Sequence, residues 1–424
     1  MADSPGPYVQ FRLNFEQQGK RAKELLKAAR AGDREALARF KSSPRLAEAQ
    51  YLIARELRFE NWAALKSHAA SMSREREAAS SPDAASSLDG DLRTLHIRCG
   101  SDIQEALRTA GFCGDFHEHN YPYLIGPVSE GPGCLEKRAR FIVDNFGDTR
   151  DPPLKFEEEL RGQYLNEQRL HDSVDYDRIV VWSELDCYDQ LVLVRLLGHY
   201  ATHRRPQRLE LINVRDFPGA ARFIGLGQLP PEALRMLWTT RKPVTPAILE
   251  LGLQAWRALA NPDPRGLADI MRTGTPALPL LANALHRHLR ELPSILNGLS
   301  FTEEMALQLL AEGESNLIGL IGRQSFELDP LPGQGDAAVL RRLLNMEGAR
   351  ARVYERRPGL DFKGKSRAPW TDVLTMTELG RAVLSGEVDF MSLAPPSRWV
   401  GGVEVGPGHP DWRWGESNRQ VIRN

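Results

Sequence analysis

The hydrophobic pattern changes period several times along the chain. From residue 14 to 72 apolar positions recur every three or four residues, as in Ala22, Leu25, Leu26, Ala29 and then Ala36, Leu37, Phe40. That spacing predicts helices with one buried stripe, and Asp33 and Asn61 stand where they would cap two of them. The stretch Ala28 to Leu37 resembles one ankyrin-type helix pair, but no repeat follows, so a small helical module over 1–72 is expected. Residues 73–91, rich in Ser, Ala and charge, read as a linker. From Leu92 short apolar runs alternate with helical patterns. Strands are expected near 95–99, 114–119, 178–183 and 209–213, with helices near 103–110, 134–146, 153–171 and 188–200. Such alternation predicts a parallel sheet with right-handed crossovers, an α/β Rossmann-like domain over 92–227.

Residues 228–312 are punctuated by prolines that fit the starts of several short helices. Beyond 313 the pattern predicts helices at 315–323, 336–346 and 377–385, a strand at 350–355, and a terminal hairpin from Trp399–Val405 and Trp412–Trp414. Helices followed by a hairpin resemble a winged-helix module, so 313–424 is expected to be winged-helix-like.

Composition narrows the setting. The 424 residues exceed one ordinary core. With Lys+Arg 55 against Asp+Glu 56, no global field draws the chain to nucleic acid or an acidic membrane. The four cysteines, 99, 113, 134 and 187, form no C-x-x-C pair. No run reaches the ~20 apolar residues of a membrane span, and the first residues lack a basic and apolar leader pattern. A reducing, cytoplasmic setting is the expectation.

The densest chemistry lies in Asp177 to Tyr200. The run Ile179–Trp182 leads into Glu184, Asp186 and Asp189 and then into an apolar helix. Carboxylates at the end of a parallel strand sit where open sheets bind ligands, and they suit a hard divalent cation or a small polar ligand. Asp102, after the first strand, would face the same crevice. The structural alternative is that Asp186 caps the helix and Asp189 complements its dipole. His117-Glu118-His119 and the i, i+4 pair His199/His203 offer imidazoles, but no four-ligand set stands out. Gly225-x-Gly227 and Pro332–Gly335 are neither a Walker loop nor a dinucleotide fingerprint. Between 336 and 367 nine Lys/Arg face four Asp/Glu, which makes Arg341, Arg342, Arg356 and Arg357 candidates for nucleic-acid contact. No cofactor is specified by any motif.

Several blocks stand together in order: Leu95–Leu107, Gly126-Pro127-Val128, Trp182–Leu191, Gly225–Leu229, Asn297–Ser300, Leu374–Gly380 and Arg398–Gly402. On these the chain resembles a bacterial domain-of-unknown-function family, number 1835, over roughly residues 93–415. The family has no established reaction. It usually carries His where this chain has Leu185, and a polar segment where this chain has Tyr121–Ile125. Three functions are therefore expected in competition: an enzyme or ligand-binding protein using the acidic crevice, a regulatory nucleic-acid-binding protein acting through the C-terminal region, and a protein-interaction scaffold.

Overall fold

The computed structural model describes residues 11, 13–80, 87–149, 152–220, 222–331, 333–359 and 369–424. The chain is mixed α/β and divides into two compact units whose segments interleave. A sheet unit comprises Met1–Glu118, Asp175–Glu184 and Pro206–Pro243; a helical unit comprises His119–Val174, Leu185–Arg205 and Val244–Asn424.

The sheet unit opens with α1 (Phe15–Arg30), α2 (Arg34–Ala38), α3 (Leu46–Glu56) and α4 (Trp62–Ser80). Asp33 and Asn61 cap as the pattern predicts, accepting from the Ala36 and Ala64 N–H groups at 2.8 and 2.9 Å. The apolar stripes meet in a small core of Ala22, Ala49, Ile53, Leu57, Phe59 and Leu65. Helix α4 continues to Ser80, into the stretch read as a linker, whose residues 81–86 lie outside those described.

Next come β1 (Thr94–Arg98), α5 (Gln104–Thr109), β2 (Asp115–Glu118), β3 (Arg178–Glu184), β4 (Arg208–Val214), α9 (Pro231–Trp238) and β5 (Lys242–Pro243). The strands order as β2-β1-β3-β4-β5, parallel except for β5, with Ile97 opposite Val181 and Val181 opposite Leu211. All seven residues of the middle strand β3 are buried, as a strand covered on both faces requires. Its buried polar groups are largely matched, Arg178 Nε excepted. Arg178 grips Asp91 at 2.8 Å, and the Trp182 indole N–H donates to His96 Nδ1 at 3.1 Å, with His96 Nε2 2.8 Å from Asp89. The N-terminal helices are not detached from this sheet: Arg76 pairs with Glu232, and Glu75 with Arg235, across α4 and α9.

The helical unit contains α6 (Cys134–Phe146), α7 (Phe156–Asp172), α8 (Cys187–Thr202), α10 (Pro246–Leu259), α11 (Arg265–Thr273) and α12 (Leu281–Leu289). Helix α8 is buried along most of its length, as its nearly unbroken apolar sequence demands. It packs on α10 through two glycines, Gly198 against Trp256 and Gly252 against Leu197. A second core gathers α13 (Phe301–Ala311), α14 (Leu317–Arg323), α15 (Asp336–Met346), β6 (Tyr354–Arg357), β7 (Val373–Met376) and α16 (Glu378–Ser385) around Leu307, Leu320, Leu343 and Leu374. The strand expected at 350–355 starts later, because bends after α15 carry the chain to Tyr354. The single terminal hairpin expected is two: β8 (Arg398–Val400) with β9 (Val403–Val405), and β10 (Trp412–Gly415) with β11 (Gln420–Arg423). The two-residue loop Gly401-Gly402 closes the first, with Gly401 at φ +58°. Among the described residues no helix is long and apolar enough to cross a membrane.

Candidate functional site

At the carboxyl ends of β1 and β3, Asp102 and Glu184 do converge, and a buried arginine stands between them. Arg98 donates to both Asp102 oxygens at 3.1 Å and lies 3.0 Å from Glu184 Oε2. Glu184 also accepts from the Leu226 N–H. The Gly225-x-Gly227 turn explains itself here. A Cβ on Gly225 would stand 2.7 Å from Glu184 Oε1, and one on Gly227 2.8 Å from Asp102 Oδ2. The glycines let this backbone close over the carboxylates rather than cradle a phosphate. In the helical unit Asp186 is the N-cap of α8, its Oδ1 accepting from the Asp189 N–H at 2.7 Å, and Asp189 lies buried in the first turn. Oxygen donors of this kind are the ones a hard cation takes. Among the described residues no histidine joins a candidate ligand group of three or more. His119 is instead bonded to Tyr123 and Asn166, and His199 stacks on His203.

Of the four C-terminal arginines, Arg342 is 7% exposed, Arg341 pairs with Asp148, and Arg356 bridges Glu347 and Asp372. Arg357 is exposed on β6. Lys363, Lys365 and Arg367 of the same window lie outside the described residues.

A larger site lies around His199 and His203, the histidine pair noted in the sequence. Within the helical unit, α6, α7, α8 and α10 and the loop at 121–131 enclose a cavity of about 450 Å³. Tyr121, Tyr123 and Trp256 supply aromatic walls; Val128, Leu135 and Leu253 supply apolar ones. Arg138, Arg195 and Arg257 bring positive charge, against Glu130 and Glu167.

These side chains are held in place. Arg138 donates to the carbonyls of Pro122, Ile125 and Pro127 at 2.9, 3.3 and 3.4 Å and lies over the Tyr123 ring at 5.1 Å. Arg195 pairs with Glu167 and lies 5.2 Å from the centre of the Trp256 ring. Asn166 Nδ2 faces His119 Nδ1 at 3.1 Å, so the His119 proton sits on Nε2 and reaches the Tyr123 hydroxyl at 3.0 Å. Burial pushes the Tyr123 phenol up to about 12 and pulls His199 down to about 3, helped there by Arg195. Burial and then Glu167 raise the Cys134 thiol. At neutral pH the lining therefore presents a phenol, a neutral imidazole and a protonated thiol, which is a poor nucleophile.

Sequence order scattered this site. Its residues come from 121–138, 163–167, 195–203 and 253–257, and Trp256 had the pattern of a core tryptophan. The signal that could have found it is the Tyr-Pro-Tyr segment at 121–123, aromatic where a loop is usually polar. No family model, no curated protein and no solved structure matches the chain.

Proposed function

We propose that the protein binds a small, planar, acidic molecule in the cavity of the helical unit. The observation that carries this is the convergence of Tyr121, Tyr123 and Trp256 with three guanidinium groups in one space of about 450 Å³, a size typical of ligand pockets. Aromatic faces give a flat ring contact area, and guanidinium pairs with carboxylate or phosphate. Glu167 already neutralises Arg195. Arg138 is held by carbonyls rather than a carboxylate, and the exposed Arg257 has no ion pair among the described residues. Those two charges favour an anionic group on the ligand.

The test titrates the full chain with aromatic carboxylates, nucleosides and nucleoside monophosphates, reading tryptophan fluorescence and thermal shift. A bound acid at 100 times its Kd should add about 2.7 kcal/mol of stability. Trp256→Leu and Arg257→Ala should each weaken it at least tenfold. Equal binding of neutral analogues, no response to any acid, or wild-type binding by Arg257→Ala would refute the proposal.

The parallel order β2-β1-β3-β4 supports a Rossmann-like sheet, and α13–α15 with the β6–β7 pair support a winged-helix-like region. The family resemblance adds a cytoplasmic bacterial setting. A second reading takes Asp102 and Glu184, which converge within the sheet unit, as oxygen donors for a cation. Contact with nucleic acid is the weaker use of the C-terminal region, since Arg341 and Arg356 pair with acids of this chain and Arg342 is buried.

A further inference from the structure

Arg341 and Arg342 take part in a second, smaller cavity of the helical unit. Its volume is about 40 Å³, and Asn145, Arg341, Arg342, Ser397, Arg398 and Trp399 line it. No carboxylate is among the lining residues. Arg342 is 7% exposed, yet its nearest acid, Glu291, stands at 4.0 Å, beyond hydrogen-bonding reach. Arg398 is 9% exposed. Its Nη1 donates to the Glu291 carbonyl at 2.7 Å and its Nε lies 3.6 Å from Glu303, but among the described residues its buried Nη2 has no hydrogen-bond partner. A buried guanidinium nitrogen without an acceptor is costly. The two guanidinium groups beside one cavity also repel each other, and Arg342 contributes to pulling the Arg398 pKa down to about 10, after burial itself.

We propose that this cavity is a site for a compact tetrahedral oxyanion, either inorganic phosphate or the terminal phosphate of a small ester. Four oxygens in tetrahedral array accept from guanidinium groups on several sides at once, which a planar carboxylate does not. The space exceeds the roughly 10–15 Å³ that a single water needs and is far too small for a stacked base, which suits one compact anion. Arg341, half-buried and paired with the exposed Asp148, stands at the mouth and can swing from that surface pair to the anion. The same two arginines that read as a nucleic-acid patch thus serve one phosphate rather than a polymer backbone, which would need an exposed row of cations.

The experiment follows phosphorus-31 line width and thermal shift of the full chain at constant ionic strength. Inorganic phosphate, sulfate and glycerol 3-phosphate are compared with chloride. Phosphate should broaden and stabilise where chloride does not. Arg342→Gln and Arg398→Gln should lose the effect at least tenfold. Ser397→Asp, at an exposed position, puts a carboxylate into the cavity without removing a core group and should abolish binding in a folded protein. Arg357→Gln should bind as wild type. Ester binding tenfold tighter than phosphate assigns the ester; the reverse assigns the free anion. Equal stabilisation by chloride, or retained binding in Ser397→Asp, overturns the proposal.

Discussion

Replacing Gly252 by alanine separates two effects that usually travel together. Alanine in a helix interior is favoured over glycine by about 1 kcal/mol. Gly162, exposed on α7 with nothing within 4 Å of a built Cβ, should show that gain, about 0.5–1 kcal/mol of added stability for Gly162→Ala. Position 252 differs because α10 lies directly on α8 there. A Cβ at 252 would overlap Leu197 Cβ outright and stand 2.9 Å from its Cδ1 and 3.2 Å from its Cγ. Leu197 cannot rotate its own Cβ away, so the helices must part. Overpacking of this kind costs about 1–3 kcal/mol, enough to outweigh the propensity gain. Gly252→Ala should therefore lose about 1 kcal/mol, the middle of that cost less the propensity gain, a fall of roughly 2–4 °C in Tm for a unit of this size. Trp256, one turn along, lines the large cavity, so ligand binding should weaken in the same variant. Circular-dichroism melts of the two variants beside the wild type decide it. An equally stable or more stable Gly252→Ala would refute the packing argument.

Two further outcomes follow from buried charge. Breaking the Glu184–Arg98 contact by Glu184→Gln should cost on the order of 3 kcal/mol, and a thermal melt with and without Mg²⁺ checks it; a variant more stable than wild type without the metal would favour the cation reading. His288, buried in α12 with Nδ1 unpartnered, has its pKa lowered to about 4 by burial, from 6.5. The unfolded chain then binds the proton more readily, so stability is full above about pH 6.5 and falls as pH drops toward about 4. Urea titrations at pH 7 and pH 4.5 should show that loss, and His288→Leu should lessen it; an unchanged pH dependence in the variant would exclude His288 as its source.

Much of the architecture was legible because it depends on local rules. The run Ile179–Trp182 has the uniform apolarity of a central parallel strand, and Asp186 sits where a cap must sit, so β3 and α8 fell within a residue or two of expectation. The acidic cluster was legible as a cluster, but not the partners that answer it. Arg98 and the Leu226 N–H arrive from distant parts of the chain. The partners of the basic window were hidden for the same reason, since Asp148, which pairs with Arg341, and Asp372, which pairs with Arg356, both lie outside it. Charge counted along a sequence is blind to ion pairs made in space. The large cavity was least legible, because a pocket between helices needs no spacing rule.

The interleaving of the two units also bears on how the chain reaches its native state. Strand β1 meets β2 across one short helix, but its other edge waits for Arg178, after the whole α6–α7 segment has been made. The edge of β3 waits again, for β4 beyond α8. During synthesis β1 is therefore a half-paired ribbon while more than a hundred residues of the helical unit, including α10 to α16, are still to come. Pairings of such sequence separation are slow to close, and an open strand edge invites the wrong neighbour in the interval. The large cavity of the helical unit needs α10, which follows β5 in the chain, so it cannot form before every strand of the sheet has been made.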